Sequence, residues 1–349
     1  MAPDPPGFFP PAQCIPPLQS PHKQTFILLH GRGLSAHIFG PDLLSTTFSM
    51  TGDKVQYDDD DGEPLLSPVP STTGTQSDRA VVTTTTTTTI PTTSPTLREA
   101  FPHAKFTLPL APRHRATIYK RSLIHQWCDS WDPSGTSSAS SKEEWRAAPG
   151  LRDTVSHLHG LTRAEAETLG GRTGNIVLGR LSQGCAAALA ALLLWDGPPL
   201  MGFWGMCDWL FFEGDVKAVL GLSGPGDDGA GGEEEFDPFE REVDEKGRGV
   251  CEEEGCMETR VVRALRERLE LEEGDGRGLR SRPGSFDTPV FLGHGVEDDK
   301  VPVVRGREAA ECLRAAGLDA EWREYHGLGH WYSDEMFSDM VSFLKDRAD

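Results

Sequence analysis

The 349-residue sequence has few basic side chains and no cluster of them. Lys and Arg number 34 against 54 Asp and Glu, a formal net charge of −20. Phosphate backbones and anionic lipid surfaces are held by grouped Lys and Arg, so nucleic acid is excluded as an expected partner. Long apolar runs are also missing. The longest, Cys185 to Trp195, falls well short of the roughly 20 residues that span a bilayer, so no stable membrane insertion is expected. The opening MAPDPPGFFPPAQC has no basic segment leading into an apolar one, residue 2 is Ala and not the Gly that myristoylation needs, and no prenylation box closes the chain. The default location on these grounds is cytoplasmic. A disulfide framework is absent too: seven cysteines, an odd number without regular spacing, read as free thiols in a reducing compartment. Cys251 and Cys256 lie in an acidic stretch with no histidine nearby, so no metal site is assigned to them. Apolar residues make up only 37%, which is low for a globular chain and implies that part of the length is not packed core.

Two segments account for that deficit. Residues 50–98 hold four consecutive aspartates, Asp58 to Asp61, and the threonine tract Thr83 to Thr89; residues 226–258 are dense in Glu, Asp and Gly. Neither has a usable period, and neither can bury enough apolar area to offset about 1–2 kcal/mol of backbone ordering per residue. Both are expected to be disordered insertions, with a lid over substrate as the alternative for the first. A Pro-rich extension is expected over residues 1–22 and one domain over 23–349.

Within that domain, strands and helices alternate. Strands are expected at Thr25–His30, Lys105–Leu110, Asn175–Leu178, Val216–Leu222, Pro289–Leu292 and Glu321–Tyr325. Helices are expected near Phe39–Leu44, Leu97–Phe101, Leu151–Leu169, Cys185–Trp195, Val261–Leu271, Arg307–Ala315 and Asp334–Lys345. This alternation predicts the α/β class, with a mostly parallel central sheet and helices on both faces. Ligands in such folds bind beyond the carboxyl ends of the strands.

Four short motifs follow strands, where that rule puts chemistry. Gly179-Arg180-Leu181-Ser182-Gln183-Gly184 runs from a strand into an apolar helix, the pattern of a nucleophile elbow; a plain helix N-cap serine is the alternative. Arg180 occupies the upstream position where G-x-S-x-G wants Gly, and the glycine sits one residue earlier. Asp298, in His294-Gly295-Val296-Glu297-Asp298-Asp299, can hold the tautomer of an imidazole, with Glu297 and Asp299 as rivals. His330, after the last strand, suits general-base work near pH 7, with His326 as rival. His30-Gly31-Arg32-Gly33 could aim a backbone N–H at an oxyanion. The order loop, Ser, Asp, His is that of α/β hydrolases.

These residues resemble the acyl-protein thioesterase, or phospholipase/carboxylesterase, family of α/β hydrolases. The resemblance rests on His30-Gly31-Arg32-Gly33, Pro109-Leu110-Ala111-Pro112, Trp127-Cys128-Asp129, Leu181-Ser182-Gln183-Gly184, the string from His294 to Pro302, and Gly327-Leu328-Gly329-His330. It implies the α/β-hydrolase fold, with Ser182 as nucleophile, Asp298 and His330 as its partners, and the main-chain N–H groups of Arg32 and Gln183 as the oxyanion hole. Trp127 and Leu181 fall at the substrate-binding positions; for Trp127 a buried structural role is the alternative. No metal and no organic cofactor are implied. The substrate would be an acylated protein or a small acyl ester. Arg180 and Cys185 stand where the family has glycine. Arg180 and the acidic Gly226 to Glu258 segment, of a kind that often serves as an interaction surface, motivate a second reading: a catalytically weak relative that binds an acyl group or a protein partner.

Overall fold

The computed structural model describes residues 3–49, 94–130, 141–222, 256–271 and 282–347, the side chains of 141–144 and 180 excepted. The threonine tract, the Asp58–Asp61 run, Cys251 and most of the acidic 226–258 segment lie outside the described residues. So does nearly all of 50–98, whose last residues are described.

A central sheet is assembled from β1 (Gln13–Ile15), β2 (Gln24–Leu29), β3 (Ala104–Leu108), β6 (Ile176–Leu181), β7 (Gly202–Met206), β8 (Val290–Gly295) and β9 (Ala320–Tyr325). Their spatial order is β1-β3-β2-β6-β7-β8-β9. All neighbours pair in parallel except β1, which runs antiparallel to β3. Strands buried on both faces need apolar side chains at successive positions, not alternate ones. Accordingly Phe26 and Leu28 of β2 pack on one side, and Ile27 and Leu29 on the other. The first side is covered by α1 (Ala36–Ser45), the short α2 (Leu97–Ala100) and α8 (Asp334–Lys345). The second is covered by α3 (Ser141–Thr168), α4 (Gln183–Leu193), α5 (Glu213–Leu220), α6 (Met257–Arg268) and α7 (Val303–Ala315). A small antiparallel hairpin, β4 (Arg113–Ala116) with β5 (Ser122–His125), stands outside the main sheet.

Three expectations are corrected. Val216–Leu222 is not a strand. It belongs to α5, which buries Val216 and ends at Gly221, a left-handed residue at φ 69°. A run this short has no period that separates strand from buried helix, and the acidic first turn of Glu213 and Asp215 complements the helix dipole. The strand at this place in the sheet is β7, Gly-Phe-Trp-Gly-Met, whose glycines hid it. The Pro-rich start is not merely an extension, because β1 closes the sheet edge; prolines flanking a short strand are tolerated at an edge, where one side needs no ladder donors. Lastly, the first insertion ends earlier than residue 98: the helix expected at Leu97–Phe101 is α2, and Thr96 and Glu99 form the reciprocal capping box that starts it.

Gly179 is explained here. A Cβ at this position would lie 1.2 Å from Nε1 of Trp204, a buried side chain on the neighbouring strand. The glycine makes room for that ring and is not part of the turn after β6. Gly179→Ala is expected to lower unfolding free energy by about 3 kcal/mol, since a backbone or ring must shift in a packed core. A urea unfolding midpoint that moves down at unchanged slope checks this; an unmoved midpoint would contradict it.

Candidate active site

The carboxyl ends of β2, β6, β7, β8 and β9 carry the candidate residues. At the end of β6 the chain turns sharply at Ser182, which has φ 57° and ψ −133°. A non-glycine residue there stores about 1–3 kcal/mol of strain. It persists because both neighbours are fixed: Leu181 is paired to Met206 in the sheet, and α4, buried on every side, begins at Gln183. The Ser182 N–H donates to the Met206 carbonyl at 2.9 Å. The side chain makes no cap hydrogen bond to its helix, which removes the N-cap alternative and leaves a half-buried hydroxyl at a helix N-terminus. Arg180 contributes its backbone to β6, paired with Leu29 and Gly205.

Beside it lies the loop after β2. A Cβ on Gly31 would sit 3.6 Å from that of Ser182. The loop is held by buried polar contacts that composition could not show. His30 accepts the Ala111 N–H on Nε2 at 3.1 Å and its Nδ1 donates to the Gly31 carbonyl at 2.8 Å. The Trp127 indole donates to the His30 carbonyl at 2.8 Å. Gln183 locks the opposite wall: its Oε1 accepts the Trp127 N–H at 3.0 Å, and its Nε2 donates to the Cys128 carbonyl and to Ser130 Oγ, both at 2.9 Å. The Arg32 guanidinium donates to the same Ser130 oxygen at 2.6 Å. Asp129 binds the N–H and hydroxyl of Thr117, at 2.8 and 2.5 Å, tying in the β4–β5 hairpin. Trp127 and Leu181, the substrate-binding candidates, are both buried, and the Trp127 indole is taken up by the backbone of the loop it supports.

Replacing Gln183 with Leu, of similar volume, removes one acceptor and two donations. Buried groups left without a partner cost about 1–3 kcal/mol each, so Gln183→Leu is expected to destabilise the protein by about 3 kcal/mol. Equilibrium denaturation reads this directly; a loss below about 1 kcal/mol would mean water replaces the amide.

On the other flank, His330 Nδ1 donates to Asp298 Oδ2 at 2.7 Å. Asp298 Oδ1 accepts the N–H groups of Lys300 and Val301 at 2.8 and 2.9 Å, and His294 Nε2 stands 3.2 Å from Oδ2. Burial opposes the Asp298 charge, but hydrogen bonds from His294 and His330 overcome it and hold this carboxyl well below the usual carboxylate range. The rivals fall away from the site: Asp299 is exposed and paired to Lys300, and Glu297 and His326 are exposed. Cys207, at φ 54° after β7, packs between the two flanks, its thiol 3.6 Å from the Trp331 carbonyl. Burial, then the Asp298 charge, push that thiol well above its ordinary range. Cys207, His294 and Asp298 bring their polar atoms within 4.8 Å of one another. With both Asp298 oxygens already accepting donors, this grouping is a hydrogen-bonded support for the carboxylate.

The structure therefore joins Asp298 to His330 and sets Ser182 against the Gly31 loop, on neighbouring strand ends. No hydrogen bond links the Ser182 hydroxyl to the imidazole among the described contacts; such bonds tighten when substrate arrives. Sequence reasoning missed Ser130, Cys207 and the side-chain roles of His30, Gln183 and His294. For His294 one signal was present, a histidine four residues before Asp298.

Residues 280–347 match the phospholipase/carboxylesterase family model. Acyl-protein thioesterase 1 of Gibberella zeae is 41% identical over 58 residues, 17% of this chain and 25% of that protein. Acyl-protein thioesterase 1 of Yarrowia lipolytica is 21% identical over 246 residues, 70% of this chain and 78% of that protein. The match thus spans about a quarter of the length of the first of these relatives. Among solved structures, Arabidopsis thaliana SOBER1 and Zea mays acyl-protein thioesterase 2 each superpose with a TM-score of 0.53 at 16% identity. They cover 94% and 97% of this chain, and 100% and 99% of their own chains. The likeness is to the phospholipase/carboxylesterase family over the C-terminal residues 280–347, and over the whole sheet it is a likeness of fold, that of the α/β hydrolases.

Proposed function

We propose that the chain is a serine hydrolase that cleaves carboxylic esters or thioesters of acyl groups. Ser182 Oγ attacks the acyl carbonyl carbon while His330 Nε2 takes the hydroxyl proton, its Nδ1–H held by Asp298. The developing oxyanion is met by the main-chain N–H of Gln183, in the first turn of α4 where amides have no helical acceptor, and by that of Arg32. The proton then passes from His330 to the departing alkoxide or thiolate. Water, deprotonated by the same imidazole, releases the acid and restores Ser182. None of these steps calls for a metal or an organic cofactor. The observation that carries the reading is the strained backbone of Ser182, at φ 57° at the end of β6, with a His–Asp pair closed at 2.7 Å after β8 and β9 of the same sheet. Strain of this kind is retained where it aims a side chain.

Acylated proteins and small acyl esters are the substrate class this chemistry fits, since thioester and ester carbonyls share one tetrahedral path. The test is labelling by a fluorophosphonate probe together with turnover of a series of p-nitrophenyl acyl esters. Labelling and turnover are expected. Folded protein that neither reacts nor turns over would overturn the proposal and favour the reading as a binding module.

A further inference from the structure

Charge is unevenly spread over this acidic chain, and the expectation that none of its basic side chains are grouped is corrected here. Residues 113–125 hold Arg113, Arg115, Lys120 and Arg121 and no acid, within a net charge of −20. The fold makes this stretch the β4–β5 hairpin, outside the main sheet. Arg115 Nη1 donates to the Arg121 carbonyl at 3.2 Å, drawing the two residues together across the turn. Arg115, Lys120 and Arg121 are exposed and enter none of the ion pairs among the described residues. The acids in contact with the hairpin, Asp4 and Asp129, are taken up elsewhere on it: Asp4 Oδ2 accepts the Arg113 N–H at 2.7 Å, and Asp129 accepts the N–H and hydroxyl of Thr117.

The tip of the hairpin is strained. Lys120 and Arg121 are consecutive left-handed residues, at φ 51° and 64°. Tight hairpins place Asn-Gly at such positions, because a longer side chain there carries a steric cost. Like charges brought together at the end of a ladder also repel, and an anion supplied from outside relieves that repulsion. The base fixes where such an anion would lie. The hairpin leaves the sheet after the carboxyl end of β3, beside that of β2. The His125 carbonyl accepts the Gly33 N–H at 2.8 Å, and His125 Nδ1 stands 2.6 Å from the Ala111 carbonyl. The hairpin is thus fastened to the loop that carries Arg32, whose amide serves the oxyanion in the proposed reaction. Its ladder runs from the Arg113–His125 pair to the Ala116–Ser122 pair, a rise of about 10 Å at roughly 3.3 Å per residue.

We propose that the β4–β5 hairpin is a docking surface for an acidic segment of an acylated protein, with Arg115, Lys120 and Arg121 binding carboxylates about three to five residues along from the acylated side chain. The spacing follows from the rise of the hairpin, since an extended peptide advances by the same step per residue; the reach of the Arg and Lys side chains sets the upper figure. The occupant is a short segment and not an extended polyanion. A lipid surface or a nucleic acid duplex meets the field of the whole chain, which at a net charge of −20 repels it. A segment of a few residues meets the hairpin alone, because exposed charges more than roughly 8 Å away are screened at physiological salt. That the segment belongs to a substrate rests on the hydrolase reading; the surface itself does not.

The experiment uses the full chain and two readouts. The first is 15N NMR of the backbone amides, titrated with an unacylated peptide carrying glutamates, with its glutamine counterpart, and with phosphatidylserine vesicles. The second is kcat/KM on the same two peptides S-octanoylated at a cysteine three to five positions from the glutamates. The glutamate peptide is expected to shift the amides of residues 115–122 and the glutamine peptide to leave them in place. The glutamate thioester is expected to be cleaved with a kcat/KM about tenfold higher at low salt, the scale of a few exposed ion pairs, and the advantage to fade as salt is added. Lys120→Gln/Arg121→Gln and, separately, Arg115→Gln should narrow that advantage while kcat/KM for a neutral p-nitrophenyl ester stays as in wild type. Wild-type protein whose hairpin amides ignore the glutamate peptide would overturn the surface, with no variant needed. Hairpin shifts with vesicles and none with peptide would overturn the acidic segment in favour of a membrane. An undiminished preference in both folded variants would overturn the assignment to these side chains. If the amides shift as stated while no thioester or ester is turned over, the hydrolase reading fails and the surface stands.

Discussion

Ser182→Ala is expected to abolish fluorophosphonate labelling and to lower kcat by about 10⁴-fold or more, equivalent to roughly 5 kcal/mol of transition-state stabilisation. The loss should fall on kcat and not on KM, because the hydroxyl forms its bond only on the way to the tetrahedral state. The same position offers a second measurement that a bystander serine would not pass. Ala keeps the Cβ that makes φ 57° costly, whereas Gly adopts that angle freely. Ser182→Gly should therefore be as inactive as Ser182→Ala yet more stable than it by about 1 kcal/mol. Retained turnover in Ser182→Ala would end the serine-hydrolase proposal. Equal stability of the two variants would show that the turn is unstrained, and with it the argument that the serine is held there for its chemistry.

Asp298→Asn is the second large effect. Asn can still offer its Oδ1 to the Lys300 and Val301 amides, which the Asp298 Oδ1 serves now, so the loop should survive. The other atom becomes an NH₂ facing His330 Nδ1. Two donors cannot share that contact, so the ring must place its proton on Nε2, where the serine needs an acceptor. The expected fall in kcat is about 10⁴-fold, as when this tautomer is reversed in a known Ser-His-Asp triad, and it should be little relieved by raising the pH. The wild-type carboxyl sets its own pH window. Its folded-state affinity for protons is depressed, so the stability it contributes is complete above the ordinary aspartate range, about pH 4. That stability drains as pH falls through the lower folded value. Activity should thus not be lost through Asp298 protonation anywhere above about pH 4, and an Asp298→Asn variant should lose less stability on acidification than wild type. A variant that keeps wild-type kcat would remove Asp298 from the mechanism.

The order of the elements was legible because it rests on local patterns. Most of β2, the start of β6 and most of α4 are apolar stretches closed by Gly, Ser or Pro, and α8 has the bounds expected from its spacing. The elements that escaped were those whose character is set by neighbours. β7 is two glycines and a tryptophan until β6 supplies the partner and Gly179 the room. α5 is a short apolar run that either period would fit. β1 needs β3 beside it to be a strand at all.

The site divides in the same way. Residue types and chain order pointed to Ser182, Asp298 and His330, because the chemistry demands those groups after those strands. The choice between Asp298 and its neighbours Glu297 and Asp299 was made by backbone amides that only the folded loop presents. The choice of His330 over His326 was made by the reach of that carboxylate. The sequence alone settles which groups are available and in what order they meet the sheet edge, since both follow from covalent spacing and apolar periodicity. The fold decides which of them share a proton and which are buried without a partner, since hydrogen bonding and desolvation depend on distances between residues that the chain holds dozens of positions apart.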